Sequence, residues 1–373
     1  MNNKAKKVYF VTGGGTGGHI YPAISIAKAL RDDSTTQKVF YIGNPKNLEA
    51  KIAKDEGFEF LPIDVTSMPR KLNFDFLKWG IKLDSATCKA LFYIFKYRPN
   101  AVFGTGGYVS APAIIAALIT NTPYMIHDSD AHPGIVSRYV ASGAKVVSVA
   151  FSEAKNHIKN KNIKVFGNPI KQEFFNISKS DAKKELNIPK GLTLLIMGGS
   201  QGAMNINHTA INCLQYFVET LKLNVILQTG AKNYDATIEF LEKIYPEYKN
   251  SDKIIIKPYF DNMALPLNAA DIAIARAGSL SLSELSAVKI PSILIPFPYA
   301  AADHQRKNAK CYEKAGASVY IDDFELNKEK LESTVKELIS NPERLARMSE
   351  STAQFCKPNA ASQILETLKE IAK

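Results

Sequence analysis

Ten short runs of β-branched and other apolar residues recur along the chain, and a helical pattern follows almost every one. They are Val8–Val11, Lys38–Ile42, Ala101–Phe103, Tyr124–His127, Lys145–Val149, Leu192–Met197, Asn224–Gln228, Lys253–Lys257, Ile272–Ala275 and Ser292–Pro296. Continuous apolar runs mark strands buried on both faces, and strand–helix alternation places them in parallel sheets covered by helices. One sheet of ten strands is large, and 373 residues suffice for two domains. The segments "VYFVTGGGTGGHIYPAISIAKAL" (Val8–Leu30) and "TLLIMGGSQGAMNINHTAINCL" (Thr193–Leu214) both read strand, glycine turn, amphipathic helix, so each opens one half. Gly-Asn-Pro in "VFGNPIKQEFF" interrupts the pattern and places the boundary there. The expected organisation is a first doubly wound domain over 1–168, a second over 169–350 and a C-terminal helical segment over 351–373. Ligands in such domains sit at the carboxyl ends of the strands, so two facing domains enclose a cleft.

The bulk numbers fit a soluble globular protein, with 46% apolar and 22% charged residues. The N-terminus lacks the apolar core and cleavage site of a signal peptide. The longest apolar run, Ala111–Ile119, is too short to span a bilayer. A cytoplasmic protein is expected, with Cys88, Cys213, Cys311 and Cys356 as scattered buried thiols. The net charge of +11 favours an anionic partner: a phosphorylated substrate, anionic lipid or nucleic acid. No nucleic-acid motif or aromatic-basic sheet face accompanies it.

The first glycine turn is a near-miss for two known mechanisms. Gly13-x-Gly15-x-x-Gly18 fits a dinucleotide fingerprint, but the second strand ends in Gly43-Asn44 without the required acid. The spacing of Gly13 and Gly18 also fits a P-loop, but His19-Ile20 stands where Lys-Ser/Thr is needed. What remains is a bare backbone that admits a ligand closely, with a helix N-terminus behind it. "MGGSQGAMN" (197–205) and "FGTGGYVSAPA" (103–113) offer two more such turns.

"AIARAGSLSLSELSAV" (273–288) carries a fourth feature. A strand ends near Arg276, Gly278 turns the chain, and Ser279 is placed to cap a helix. The first turn offers amides and the hydroxyls of Ser281 and Ser283, and Glu284 follows. Amides and an arginine suit a diphosphate, and a carboxylate suits a ribose, so the segment fits a nucleotide diphospho-sugar. "HDSD" (127–130) contains Asp-x-Asp, but metal-dependent enzymes with that spacing have one nucleotide-binding domain, and no metal is expected. His132, His157 and His208 show no ligand spacing and read as structural or surface residues.

"GGTGGHIYPA", "GTGGYVSAP", "FGNPI", "GGSQGAMNIN", "ARAGSLSLSE" and "PFPYAAADHQRKNA", in this order over nearly the whole chain, resemble the MurG family. These are bacterial UDP-N-acetylglucosamine transferases of glycosyltransferase family 28, with the two Rossmann-like domains of the GT-B architecture. They complete the lipid-linked disaccharide-peptide of peptidoglycan at the cytoplasmic face of the cell membrane, as peripheral proteins and without a metal or other cofactor. The resemblance implies UDP-GlcNAc as donor and undecaprenyl-diphosphate-linked MurNAc-pentapeptide as acceptor. It implies His19 as general base for the acceptor 4-hydroxyl, with Thr16, Gly17 and Gly18 facing the acceptor sugar and lipid diphosphate. It places Ser200 and Asn207 in the second-domain glycine loop, with Ser200 near the donor, and the Phe260 main chain at the uracil. It places Ser279, Leu280, Ser281, Leu282, Ser283 and Glu284 at the diphosphate and ribose, and Gln305 at the donor GlcNAc.

The chain departs from the family pattern twice. The family commonly reads His-Glu-Gln-Asn where this chain has His127-Asp128-Ser129-Asp130. Asp130 replaces an amide, so it is a second candidate base or an orienter of His19. Lys171 stands where many members have an arginine after "GNP", keeping the charge and losing the bidentate fork. "MPRKLNFDFLKWGIKL" (68–83) mixes aromatic and aliphatic residues with cations, as a patch on anionic lipid does, and equally as an amphipathic core helix does. A transferase with another acceptor and a nucleotide-sugar epimerase share the donor features.

Overall fold

The computed structural model describes residues 6–69, 74–199 and 201–372. The chain forms two compact units, residues 1–170 with 357–373, and residues 171–356.

The first unit is built on seven strands: β1 (Lys7–Thr12), β2 (Thr36–Gly43), β3 (Glu59–Pro62), β4 (Ala101–Gly104), β5 (Tyr124–Asp128), β6 (Val146–Val149) and β7 (Ile163–Val165). Their order is β3-β2-β1-β4-β5-β6-β7, all parallel. The second unit carries β8 (Thr193–Met197), β9 (Asn224–Gln228), β10 (Ile254–Lys257), β11 (Ile272–Ala275), β12 (Ser292–Leu294) and β13 (Ser318–Tyr320). Its order, β10-β9-β8-β11-β12-β13, repeats the first, again all parallel. The direction of winding reverses between β1 and β4 in one sheet and between β8 and β11 in the other. These are the switch points at which doubly wound sheets bind ligands.

All ten apolar runs form strands. Three strands that the runs do not announce are β3, β7 and β13, each at a sheet edge and only three or four residues long. Edge strands are half-solvated, and their mixed sequences, such as Glu59-Phe-Leu-Pro and Ile163-Lys-Val, lack the continuous apolar run of a central strand.

The helices of the first unit include α1 (Gly17–Asp32), α2 (Leu48–Asp55), α3 (Phe74–Tyr97), α4 (Ala111–Ile119) and α5 (Ile135–Val140). Apolar cores lie on both faces of the sheet. One includes Ile20, Ile24, Ala27 and Leu30 of α1, and Ile364 and Leu368 of the last helix, Ala360–Ile371. That helix is further held by an ion pair from Lys369 to Asp33 at 2.7 Å and by Lys7 Nζ donating to the Ala372 carbonyl at 2.6 Å. Gly167 explains the glycine of "FGNPI": a Cβ there would lie 2.4 Å from Cβ of Lys357, where the chain returns to this unit.

The cysteines depart from expectation in one respect. Cys213 is buried, Cys311 and Cys356 are half-buried, but Cys88 is exposed on α3. That helix buries only its Ala86, Thr87, Ala90, Tyr93 and Ile94 side and turns Cys88 away from it.

Candidate active site

The switch point of the first sheet holds His19 and the turns that follow β1 and β4. Thr16 is the N-cap of α1, and its carbonyl accepts the amides of His19 and Ile20, both at 3.1 Å. Gly17 and Gly18 form the first helical positions, so His19 projects from the first turn. Its ring is fixed by a residue that the glycine motifs do not single out, Thr105. The Thr105 carbonyl lies 2.9 Å from His19 Nδ1, and the Thr105 hydroxyl donates to the His19 carbonyl at 2.6 Å. A carbonyl only accepts, so Nδ1 carries the proton and the neutral ring keeps its lone pair on Nε2. The imidazole lies over Gly106 and Gly107, both at positive φ. A Cβ there would come within 3.3 and 3.0 Å of the ring. The third glycine turn is thus a flat bed for the histidine.

The "HDSD" stretch ends β5 and folds around Asp128. This residue is buried, and its Oδ1 and Oδ2 accept the amides of Asp130 at 3.2 Å and Gly134 at 3.1 Å. Burial, then the neighbouring Asp130, push its carboxyl above the usual carboxylate range, while His19 pulls it down. Asp130 is half-buried beside it. Ser129 donates to the Gly18 carbonyl at 3.3 Å and ties this turn to the glycine turn. His127 is fully buried, with Nε2 donating to Asn168 Oδ1 at 2.9 Å and Nδ1 3.0 Å from Ser148 Oγ. Burial drives its pKa down to about 4, so it is a neutral structural group.

In the second unit the segment after β11 does not fold as the sequence suggests at one point. Gly278, not Ser279, is the N-cap, and Ser279 is the first residue of the helix Ser279–Ala287. The Leu282 amide reaches back to the Gly278 carbonyl at 3.0 Å and closes the first turn, ahead of which helix geometry gives the amides of Leu280 and Ser281 no intrahelical acceptor. Leu282 itself is core, and the Ser283 hydroxyl donates back to the Ser279 carbonyl at 2.9 Å. What this turn can offer a ligand is therefore mainly main-chain amides. Glu284 is half-buried, and its surroundings push its carboxyl up to about 7, opposed by the ammonium of Lys171.

Arg276 is not available as a mobile phosphate clamp. It is buried, its Nη1 donates to the carbonyls of Ile295 and Pro296, both at 3.0 Å, and it pairs with Asp323. Asp323 also receives Asn205 Nδ2 at 3.1 Å. Arg276 thus joins the loops after β11, β12 and β13. Asn207 is likewise no surface ligand group. It is fully buried and its Nδ2 donates to the Thr229 carbonyl at 2.9 Å. Phe260 is buried, and Gln228 Oε1 accepts its amide at 3.0 Å, so its carbonyl is the main-chain group left for a base. Gln305 accepts the Phe297 amide through Oε1 at 3.0 Å, so its Nε2 is the donor end of the amide. Lys171 is exposed. Ser200 lies outside the described residues.

The remaining histidines have packing roles: His132 meets the His157 ring at 4.3 Å and His208 stacks on Phe240 at 4.7 Å. On α3, Phe74, Leu77, Ile81, Phe92 and Phe95 are all exposed, as are Leu118 and Ile119 of α4 and Ile135 and Tyr139 of α5. Residues 70–73 of the expected lipid patch lie outside the described residues. Among the described residues no helix is long and apolar enough to cross a membrane.

Comparison with known proteins gives consistent matches. Residues 9–149 match the glycosyltransferase family 28 N-terminal domain, and residues 193–364 match its C-terminal domain. The UDP-N-acetylglucosamine--N-acetylmuramyl-(pentapeptide) pyrophosphoryl-undecaprenol N-acetylglucosamine transferase of Halothermothrix orenii is 38% identical over 97% of this chain and 98% of the relative. The protein of the same name from Bacillus subtilis is 34% identical over 97% of this chain and 99% of the relative. The crystal structure of Acinetobacter baumannii MurG superposes with a TM-score of 0.78 at 29% identity, covering 98% of this chain and 99% of that one. A UDP-GlcNAc 2-epimerase from Neisseria meningitidis shares the fold, with a TM-score of 0.66 at 13% identity.

Proposed function

Because the chain belongs to glycosyltransferase family 28, we propose an assignment of its two switch points to the two substrates of one reaction. The protein transfers N-acetylglucosamine from UDP-GlcNAc to the MurNAc 4-hydroxyl of undecaprenyl-diphosphate-linked MurNAc-pentapeptide, forming lipid II. The acceptor belongs to the first unit and UDP-GlcNAc to the second.

The observation that carries this division is the hydrogen bond from His19 Nδ1 to the Thr105 carbonyl, 2.9 Å long. It fixes the tautomer whose Nε2 accepts a proton, as a general base must. His19 takes the proton of the 4-hydroxyl as that oxygen attacks the anomeric carbon. The configuration inverts, and the bond to the UDP oxygen breaks. Thr16, Gly17 and Gly18 give the acceptor a close-lying backbone with helix amides behind it. Asp130 shapes the electrostatics around His19 through the turn it shares with Asp128.

On the second unit, the amides of Ser279, Leu280 and Ser281 meet the diphosphate and stabilise the charge that develops as UDP leaves. Glu284 accepts from the ribose hydroxyls, Lys171 adds positive charge beside it, and Gln305 Nε2 reaches the donor sugar. The Phe260 carbonyl faces the uracil. Arg276 acts indirectly, by holding the loops that carry these groups.

The lipid acceptor is met at an anionic membrane surface. Exposed Phe74, Leu77 and Ile81 share one flank of α3 with Lys78 and Lys82, and exposed apolar residues of α4 and α5 extend the apolar area. An apolar stripe with flanking cations is what an interfacial helix presents. Flotation with liposomes tests this: the protein rises with anionic vesicles and stays behind with neutral ones.

UDP release from UDP-GlcNAc, measured with and without a lipid I analogue, tests the reaction. Release that depends on the analogue is expected. Release at the same rate without it would mark a hydrolase or epimerase instead.

A further inference from the structure

The acid absent from the end of β2 appears in the first turn of α2, and it points at the glycine turn rather than at solvent. Glu49 is fully buried. Its Oε2 accepts the Gly15 amide at 3.3 Å, and its Oε1 accepts the Asn44 amide at 3.3 Å and Asn47 Nδ2 at 3.1 Å. As an acidic residue in the first turn of α2 it also lies in the favourable field of that helix. The fit leaves no room for side chains. A Cβ on Gly14 would lie 2.6 Å from the Glu49 carboxyl, and one on Gly43 would lie 2.9 Å from its Cγ.

The rest of the turn is held from the same side. The Tyr41 hydroxyl donates to the Gly13 carbonyl at 2.6 Å. Asn47 Nδ2, besides meeting Glu49, donates to the Tyr108 hydroxyl at 2.9 Å, and the Tyr108 ring lies 2.9 Å from where a Gly15 Cβ would stand. Two residues after Gly15 the chain enters α1, whose third residue is His19.

We infer that Glu49 is a positioning residue for glycosyl transfer: its carboxylate fills the inner side of the first glycine turn and fixes the direction in which α1 starts and His19 points. A phosphate-binding glycine turn offers its inner amides to the ligand. Here the Gly15 amide is already given to the protein's own carboxylate. The acceptor diphosphate is therefore left with the outward amides at Thr16, Gly17 and Gly18. The ribose-binding place of a dinucleotide enzyme has become an internal brace.

This inference rests on the transferase reading, and its test separates the two. Full-length Glu49→Gln and Glu49→Ala are assayed for UDP release with a lipid I analogue, alongside the unaltered protein. Glutamine keeps one acceptor oxygen and brings an NH₂ group against donors; alanine removes both acceptors. A displaced catalytic group costs up to about 10²-fold in rate. The expected result is a kcat loss of that order in Glu49→Ala and a smaller loss in Glu49→Gln. The KM for UDP-GlcNAc and the affinity for UDP are expected to stay within about twofold. Hydrogen exchange is expected to quicken at residues 13–19 in both variants. Should Glu49→Ala fail to fold, Glu49→Gln decides alone. A kcat near that of the unaltered protein in folded Glu49→Gln and Glu49→Ala overturns the inference, as does a UDP-GlcNAc KM that moves as far as kcat. Absence of acceptor-dependent UDP release in the unaltered protein overturns the transferase reading instead.

Discussion

The turn after β1 and the turn after β8 stand at the same point of the same strand order, yet their glycines answer to different neighbours. After β1 the glycines lie against side chains: Thr105 at Gly13, Glu49 at Gly14 and Tyr108 at Gly15. The turn is a supported surface, and the helix beyond it presents His19. After β8 two of the glycines, Gly198 and Gly202, lie against main chain, while Gly199 has open space beside it. A Cβ on Gly198 would stand 2.3 Å from the Ala203 amide nitrogen, and one on Gly202, at φ +74, would stand 1.9 Å from the Thr229 carbonyl oxygen. Asn207 adds a hydrogen bond to that same carbonyl. The second turn splices two loops of the sheet together. On the proposed assignment, the chemistry of its unit lies one strand over, at the helix after β11. The repeat that is visible in the sequence is therefore a repeat of topology and not of role.

The sharpest test of this division is His19→Ala. Loss of a general base costs about 10²- to 10⁴-fold in rate. Turnover with a lipid I analogue is expected to fall in that range while calorimetric UDP affinity is unchanged. A near-normal rate breaks the assignment of the proton transfer to the first unit. Asp130→Asn is the companion variant. The amide cannot take up a proton, so an active Asp130→Asn protein leaves His19 as the base.

The next effect belongs to the second unit. Asp323→Ala leaves the buried Arg276 guanidinium without its carboxylate partner, which costs about 3 kcal/mol of stability when a buried pair is broken this way. Because Arg276 also fixes the Ile295 and Pro296 carbonyls, the loop that leads from them to the helix carrying Gln305 is expected to loosen, and the KM for UDP-GlcNAc to rise. Thermal unfolding and steady-state kinetics check both. A kcat loss at constant KM would contradict the assignment of this network to the donor.

The sequence displays the central strands and the order of the motifs, because a strand buried on two faces must be apolar throughout and a glycine turn must be written in glycine. His19 is legible for the same reason, since it ends such a turn. Thr105 and Glu49 are not. Thr105 holds the His19 ring through its carbonyl, which every residue owns, and adds a hydroxyl bond to the His19 main chain that no motif announces. Glu49 sits in an ordinary helix start, where an acid is favourable whatever it faces. Arg276 and Asn207 look like ligand groups in one dimension, and only packing reveals that Arg276 Nη1 and Asn207 Nδ2 are engaged within the protein. The edge strands β3, β7 and β13 escaped because short, half-solvated strands need no apolar run.

The smallest expected effect concerns pH and sets the donor side apart from the acceptor side. Glu284 is held up to about 7 by its surroundings, well above an ordinary glutamate. A carboxyl raised in the folded state favours its protonated form there, so the stability it contributes is complete at low pH. That contribution is lost as pH rises toward 7 and the folded protein must release a proton that the unfolded chain gave up near 4.5. For donor binding the sign is opposite, because only the ionised form accepts from both ribose hydroxyls. Between pH 6 and pH 8 the ionised fraction of a group titrating near 7 grows about tenfold. The KM for UDP-GlcNAc is expected to fall by up to that factor across this range, and to lose the dependence in Glu284→Gln. UDP-GlcNAc is the proper probe, since free UDP carries a terminal phosphate that itself titrates near 6. A KM that falls equally in both proteins would place the titrating group elsewhere.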